Sequence, residues 1–155
     1  MRKIFVYRSH LTFPVHDVFS WHMQPDALER LQPPWDKAEV VKKTGPVSEV
    51  GSQVTLRVKI GPISQTLVSE HTAFEPDKMF RDTMVRGPFP FWEHTHSFEA
   101  DGPGESWLED RVECEIPFGW LGNLIAGRYL KRRLTRLFVY RHQVTAESLA
   151  ALHAR

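Results

Sequence analysis

The sequence predicts an α+β domain in which a curved antiparallel sheet of about seven strands wraps around one long C-terminal helix and encloses a cavity. Two observations carry that expectation. From residue 37 to 116 the chain is cut by Gly- and Pro-containing turns into alternating runs of similar length, as antiparallel neighbours require. From Pro117 to Leu152, by contrast, apolar residues recur at three- and four-residue steps, and no proline follows Pro117. A strand and two short helices ahead of the meander give the order β-α-α-β-β-β-β-β-β-α.

Lys3 to Phe13 alternates, with Phe5, Tyr7, Leu11 and Phe13 on one side and Arg8 and His10 on the other, which reads as a half-buried strand. Pro14 suits the first turn of a helix whose Val15, Val18, Phe19 and His22 share a face. Pro25-Asp26 starts a second short helix ending near Leu31, and Gln32-Pro33-Pro34-Trp35 is too proline-rich to continue it. Strands are expected over Lys37 to Thr44, Gly51 to Ile60, Ile63 to Phe74, Met79 to Arg86, Phe91 to Ala100 and Glu105 to Ile116. Among the turns, Gly61-Pro62 and Asp101-Gly102-Pro103-Gly104 are the tightest, and Gly87-Pro88-Phe89-Pro90 is a rigid aromatic loop. No repeat, low-complexity tract or domain boundary interrupts the chain, so residues 1–155 read as one domain.

Centring each hairpin on its turn assigns the faces. Val54, Leu56, Val58, Ile60, Ile63, Leu67, Met84, Trp92, Phe98, Leu108, Val112 and Ile116 fall inside, while Arg57, Lys59, Glu70, Arg81, Glu93, Glu109, Arg111 and Glu113 fall outside. The inner face also carries Gln65, Ser69, His71, Asp82, Arg86, His94, His96, Asp110 and Cys114. Each buried polar group without a partner costs roughly 1–3 kcal/mol. So many on one face argue for a partly hydrated cavity, and the candidate ligand-contacting residues are Leu56, Val58, Leu67, Ser69, His71, Asp82, Met84, Trp92, His94, His96, Asp110 and Cys114. The alternative is a structural network in which these groups satisfy one another.

The long helix does not show one apolar stripe. Leu121, Leu124 and Ile125 share a face nearly opposite that of Leu130, Leu134, Leu137 and Phe138, with the changeover at Gly127. The expectation is a bend or break at Gly122 or Gly127, with Leu121, Leu124 and Ile125 forming a lid at the cavity mouth. Arg128 joins them as a ligand-contacting candidate, and the later residues pack on the sheet and short helices. Arg128, Lys131, Arg132, Arg133 and Arg136 form a basic face that reads as solvated, with contact to an anionic lipid surface as the alternative.

Composition excludes several classes. A formal charge of +1 gives no electrostatic case for nucleic acid, and one cysteine permits no intrachain disulfide. No apolar run approaches the ~20 residues a membrane span needs, and the basic Met1-Arg2-Lys3 is followed too soon by Arg8 and His10 for a signal peptide. A soluble, cytoplasmic protein is expected, with oligomeric state open.

Five residues, His94, His96, Asp82, Asp110 and Cys114, invite chemical readings. His94 and His96, at alternate strand positions, both face inward and would need Asp110 or Asp82 to complete a metal site. With no second His/Cys cluster, the expectation is no metal and no cofactor. The Asp101–Gly104 turn pairs His96 with Asp110, placing Cβ atoms ~4.5–5.5 Å apart. The carboxylate is expected to favour a protonated His96, against desolvation. Cys114 faces Trp92 in the same register and reads as packing rather than a nucleophile.

At this point the chain resembles the START and polyketide cyclase/dehydrase (SRPBCC) superfamily of helix-grip ligand-binding domains. The residues that carry the resemblance are Pro14 through Phe19 with Trp21-His22, Leu31 to Trp35, and Trp92-Glu93-His94 through Phe98. Glu109 to Glu113, Ile116-Pro117-Phe118-Gly119 and Phe138-Val139-Tyr140-Arg141-His142 complete it. It implies a helix-grip fold over essentially the whole chain, and it transfers no catalytic set. Similar domains occur fused to nucleotide-sugar-epimerase-like modules, of which this chain shows no Gly-rich dinucleotide loop. Where relatives often carry an aromatic, position 114 is Cys. The leading functional expectation is binding or transport of one small hydrophobic or amphipathic molecule (lipid, isoprenoid, polyketide or aromatic) between sheet and helix. An enzyme of cyclase or dehydratase type using His94, His96 and Asp110 for proton transfer is the alternative. A third reading is an interaction role through the loop from Phe89 to Trp92.

Overall fold

In the computed structural model of the protein, the N-terminal alternation forms β1 (Arg2–Leu11), followed by α1 (Val15–His22) and α2 (Ala27–Arg30). The meander supplies β2 (Ala38–Lys43), β3 (Gln53–Ile60), β4 (Ile63–Glu75), β5 (Met79–Arg86), β6 (Phe91–Ala100) and β7 (Ser106–Glu115), and α3 (Gly119–His153) closes the chain. The structure describes residues 1–36, 38–60, 62–117 and 119–155, and the side chains of these apart from 60 and 120–123. The expectations attached to Lys37, Gly61 and Phe118, and to the side chains of Ile60 and Leu121, lie outside the described residues.

All neighbouring strands are antiparallel, in the order β1-β7-β6-β5-β4-β3-β2. Spatial order therefore follows chain order from β2 to β7, and α1 with α2 carries the chain from β1 at one edge to β2 at the other. This is the helix-grip architecture. Register between β6 and β7 sets Trp92 against Cys114, His96 against Asp110 and Phe98 against Leu108. Gly102, at φ 78, makes the turn that fixes it, a conformation that costs glycine nothing. Two register shifts between β4 and β5, at Val68/Ser69 and His71/Ala73, add the local twist that curves the sheet.

Two expectations about the sheet are corrected. Ile63 is 60% exposed, and Arg86 is exposed too. The tip of the β3–β4 hairpin is uncovered, with Pro62 and Ser64 also in solvent, so alternation there does not translate into burial.

A break in the helix is corrected as well: α3 is continuous from Gly119 to His153. Gly127 is buried, and a Cβ on it would meet Lys3 at 2.9 Å from Nζ and 3.3 Å from Cε. The missing side chain leaves room for the Lys3 side chain; it does not break the helix. Among the described residues no helix is long and apolar enough to cross a membrane.

The interior holds two apolar clusters. Leu11, Val18, Phe19, Trp21, Phe80, Phe98, Leu108 and Leu149 form one, and Val112, Cys114, Ile116, Leu134 and Phe138 form the other. Along β7 the inward residues run Leu108, Asp110, Val112, and along α3 they run Phe138, His142, Leu149. Between the two clusters, both layers present a polar residue.

Candidate functional site

The polar belt centres on Asp110, 3% exposed. Its Oδ1 accepts from His94 Nε2 at 2.6 Å and His96 Nδ1 at 2.8 Å, and its Oδ2 accepts from His142 Nε2 at 2.7 Å. Nδ1 of His142 bonds Ser9 Oγ at 2.6 Å, and the Tyr7 ring packs edge-on against His142 at 4.8 Å. Strand pairing puts Tyr7 and His96 on either side of Asp110, so β1, β6, β7 and α3 all meet at one carboxylate. Burial alone would raise the Asp110 pKa, but the imidazoles bonded to it hold the carboxyl well below the usual range.

At His96 the two opposed influences expected from the sequence are both present, and burial prevails. Its pKa is lowered to about 3 because burial, reinforced by His94, outweighs the attraction of Asp110. His22, on α1, is lowered to about 4 by burial, although its Nδ1 contacts the Val18 carbonyl at 2.8 Å.

One strand further out, Asp82 pairs with His94 on β6 and with His71 on β4. Burial raises the Asp82 pKa against the opposing pull of His94, His71 and Arg141, and burial lowers that of His71 against Asp82. Neither ring nitrogen of His71 has a hydrogen-bond partner. The pKa of Arg141 is lowered by burial, opposed by Asp110 and Asp82, and its Nε donates to the Leu31 carbonyl at 3.3 Å.

These groups form one wall of a cavity of about 630 Å³ between sheet and α3. Of the residues singled out in the sequence, Leu56, Val58, Leu67, Ser69, His71, Asp82, Met84, Trp92, His94 and His96 line it. Asp110 and Cys114 do not: the first stands behind the histidines and the second is fully buried among Val112, Ile116 and Phe138. Burial raises the Cys114 thiol pKa to about 11, so packing is its role.

The lid is corrected. Leu124 is 56% and Ile125 70% exposed, and neither lines the cavity. Arg128 lies on the outer side with Leu124 and Lys131, beside Met1, Lys3 and Ile4. Leu130, Leu134, Leu137 and Phe138, expected to pack on the sheet and short helices, do pack with Val112, Cys114 and Ile116, and they also form the helical wall of the cavity. Helical periodicity groups residues by face but does not say which face a ligand would meet. The basic face is divided too, since Arg133 lines the cavity and bonds Asp36 at 2.6 Å, and Arg136 stacks over Trp35 at 4.2 Å. Pro88, Phe89 and Trp92 of the aromatic loop line the cavity, half-buried, while Pro90 is exposed.

Sequence reading missed His142, Arg141, Ser9 and Phe80 as parts of the site. For the helical pair a sign was available: Leu134, Phe138, Arg141 and His142 follow the same three- and four-residue steps, so polar residues continue the apolar stripe. Phe80 stacks on His96 at 4.1 Å. For metal, ligand atoms of Asp82, His94 and His96 lie within 4.8 Å of one another, as do those of the exposed His10, Asp101 and Glu105.

A family model described as polyketide cyclase / dehydrase and lipid transport matches residues 4–141. The chain belongs to that family. Its fold is shared by a point mutant of norcoclaurine synthase from Thalictrum flavum in complex with a transition-state analogue, at TM-score 0.77 and 12% identity, over 100% of this chain and 98% of that one. A START superfamily protein from Mycobacterium smegmatis matches at TM-score 0.68 and 13% identity, over 96% and 98% of the two chains. A nucleoside-diphosphate sugar epimerase from Corynebacterium glutamicum matches at TM-score 0.72 and 22% identity, over 96% of this chain but only 30% of that one. At these identities the likeness is one of fold. No curated protein sequence matches the chain significantly. Membership of the polyketide cyclase / dehydrase and lipid transport family makes ligand binding the family-level function.

Proposed function

We propose that the protein binds or carries one small amphipathic molecule, of the lipid, isoprenoid, polyketide or aromatic kind, between sheet and α3. The observation that carries this reading is the uneven wall of the cavity. Leu56, Val58, Leu67, Leu130, Leu134 and Leu137 offer an apolar body, while His71, Asp82, His94 and His96 gather on the adjacent strands β4, β5 and β6. About 630 Å³ falls within the ~300–1,000 Å³ common for small-molecule sites. The ligand's apolar part lies along the leucines and its oxygen meets the histidine wall. The lone, buried Cys114 suits a reducing cytoplasmic setting.

Native mass spectrometry of protein purified without detergent tests this. A bound small molecule is expected, lost in Leu56→Trp, which fills the cavity, and weakened several-fold in His96→Gln. Protein that carries nothing and takes up no amphipathic probe, or that binds equally well after Leu56→Trp, overturns the reading. A second reading is favoured by one feature: His96 faces the cavity with its other nitrogen held by a buried carboxylate, the arrangement of an oriented acid/base. Conversion of the bound molecule that stops in His96→Gln selects that reading over simple carriage.

A further inference from the structure

The expectation of no metal rested on seeing only one pair of histidines. The folded chain adds what the sequence did not show. Asp82, His94 and His96 bring one carboxylate oxygen and two imidazole nitrogens within 4.8 Å of one another, on the inner faces of two neighbouring strands. We propose that Asp82, His94 and His96 form a binding site for a divalent transition-metal ion, with zinc the leading occupant, open on its remaining side to the cavity.

The argument for coordination over a mere polar contact lies in what stands behind the rings. Asp110 Oδ1 takes Nε2–H of His94 and Nδ1–H of His96. That leaves Nδ1 of His94 and Nε2 of His96 for another partner. A carboxylate behind each ligating imidazole fixes its tautomer and increases its basicity, the usual outer support of metal-bound histidine. Asp110 cannot itself be the third ligand, because its other oxygen is held by His142. Asp82, which pairs directly with His94, can.

A second observation points the same way. His71 is 7% exposed, lines the same cavity, pairs with Asp82 on the other side, and has neither ring nitrogen hydrogen-bonded. An imidazole left unpaired in a buried wall is costly, and a cation at Asp82 would give it a partner through a bound water, since His71 stands outside the group whose ligand atoms converge. Two imidazoles and one carboxylate suit zinc or ferrous iron, whereas calcium and magnesium prefer all-oxygen sites. An ion there would present open positions to an oxygen atom of a cavity ligand. That last step rests on the proposed ligand-binding function; metal binding itself does not.

Chelator-treated, ligand-free protein titrated with zinc alone tests the site, followed by equilibrium dialysis with elemental analysis and by the melting temperature. One zinc per chain and a raised melting temperature are expected. Asp82→Asn, which preserves shape, should abolish both, and Asp110→Asn should weaken affinity ~10–100-fold, as loss of outer-shell support does. Asp101→Asn, in the exposed group of His10, Asp101 and Glu105, should change neither. Failure of the folded wild-type protein to take up zinc overturns the proposal. So does uptake that survives Asp82→Asn or disappears in Asp101→Asn. Should the buried variants not fold, X-ray absorption of the zinc-loaded wild-type protein decides: fewer than two imidazole ligands is a refutation. Because zinc is the sole probe, a negative result leaves the amphipathic-ligand reading standing, and an empty cavity leaves the metal result standing.

Discussion

Replacing Asp110 separates the value of its shape from that of its charge. Asp110→Ala would strand the imidazole N–H groups of His94, His96 and His142, all buried or nearly so. At roughly 1–3 kcal/mol for each unsatisfied group the gross loss is ~3–9 kcal/mol. Relief from burying a carboxylate offsets part of it, and breaking buried pairs from one side typically costs ~3–5 kcal/mol net. Asp110→Asn should be much milder. Its amide oxygen still accepts from His94 and His96, and its NH₂ faces His142 Nε2. His142 can then move its proton to Nδ1 and donate to Ser9 Oγ, already 2.6 Å away. What remains lost is the charge assistance, about 1–2 kcal/mol. Urea denaturation of the metal-free proteins at neutral pH gives the energies, and ¹⁵N NMR of the histidines reports the tautomer. The reasoning fails if Asn costs as much as Ala, if Ala costs less than ~1 kcal/mol, or if Asn is mild while the His142 proton stays on Nε2.

Acid sensitivity should have two main sources, His22 and His96. An unfolded histidine takes a proton near 6.5, folded His22 only near 4 and folded His96 only near 3, so the unfolded chain binds more protons between 6.5 and 4. The stability these rings contribute is complete above pH 6.5 and falls as pH drops toward 4, by about 3 kcal/mol for His22 alone; urea midpoints across that range should fall less steeply in His22→Asn, the slope owed to His96 remaining. Cys114, fully buried with its thiol pKa raised to about 11, should react with a disulfide reagent only as fast as the protein unfolds. Reaction at the rate of a free thiol would show an opening the packing does not allow. Phe138→Ala, in the cluster with Val112 and Leu134, should cost ~3–5 kcal/mol. Ile125→Ser on the exposed helix face should stay within ~0.5 kcal/mol; if it instead destabilises like Phe138→Ala, that face has a cover.

The meander was readable because its punctuation is chemical. Glycine and proline mark where β5 and β6 start and stop, and centring on Gly102 and Pro103 was enough to align His96 with Asp110. What alternation could not reveal is where cover ends. Ile63 obeys the pattern and still faces water, because the hairpin tip is bare. The helix posed the opposite difficulty. Its stripes were visible and the face of Leu134 was placed on the sheet, yet nothing in a period of 3.6 says which stripe a ligand would meet, and the glycine that suggested a bend or break instead admits the Lys3 side chain. The candidate site was half legible. The strand residues follow from pairing, but His142 reaches Asp110, and Ser9 reaches His142, only through the meeting of β1, β7 and α3, which no local spacing encodes.

The carboxylate of Asp110 also solves an alignment problem that apolar packing leaves open. Sliding β6 by one residue against β7 would turn charges inward and is self-defeating. Sliding it by two keeps every apolar side chain inside, so greasy surfaces alone barely distinguish the correct alignment from its neighbours. One such slip sets Phe98 opposite Asp110, and the other sets His94 there and carries His96 to Leu108. Both disrupt the paired bonds of His94 and His96 that the native alignment supplies. The buried acid therefore acts as a proofreader. It penalises the wrong alignments that burial would tolerate, and His142 adds a third bond that ties the same alignment to the C-terminal helix.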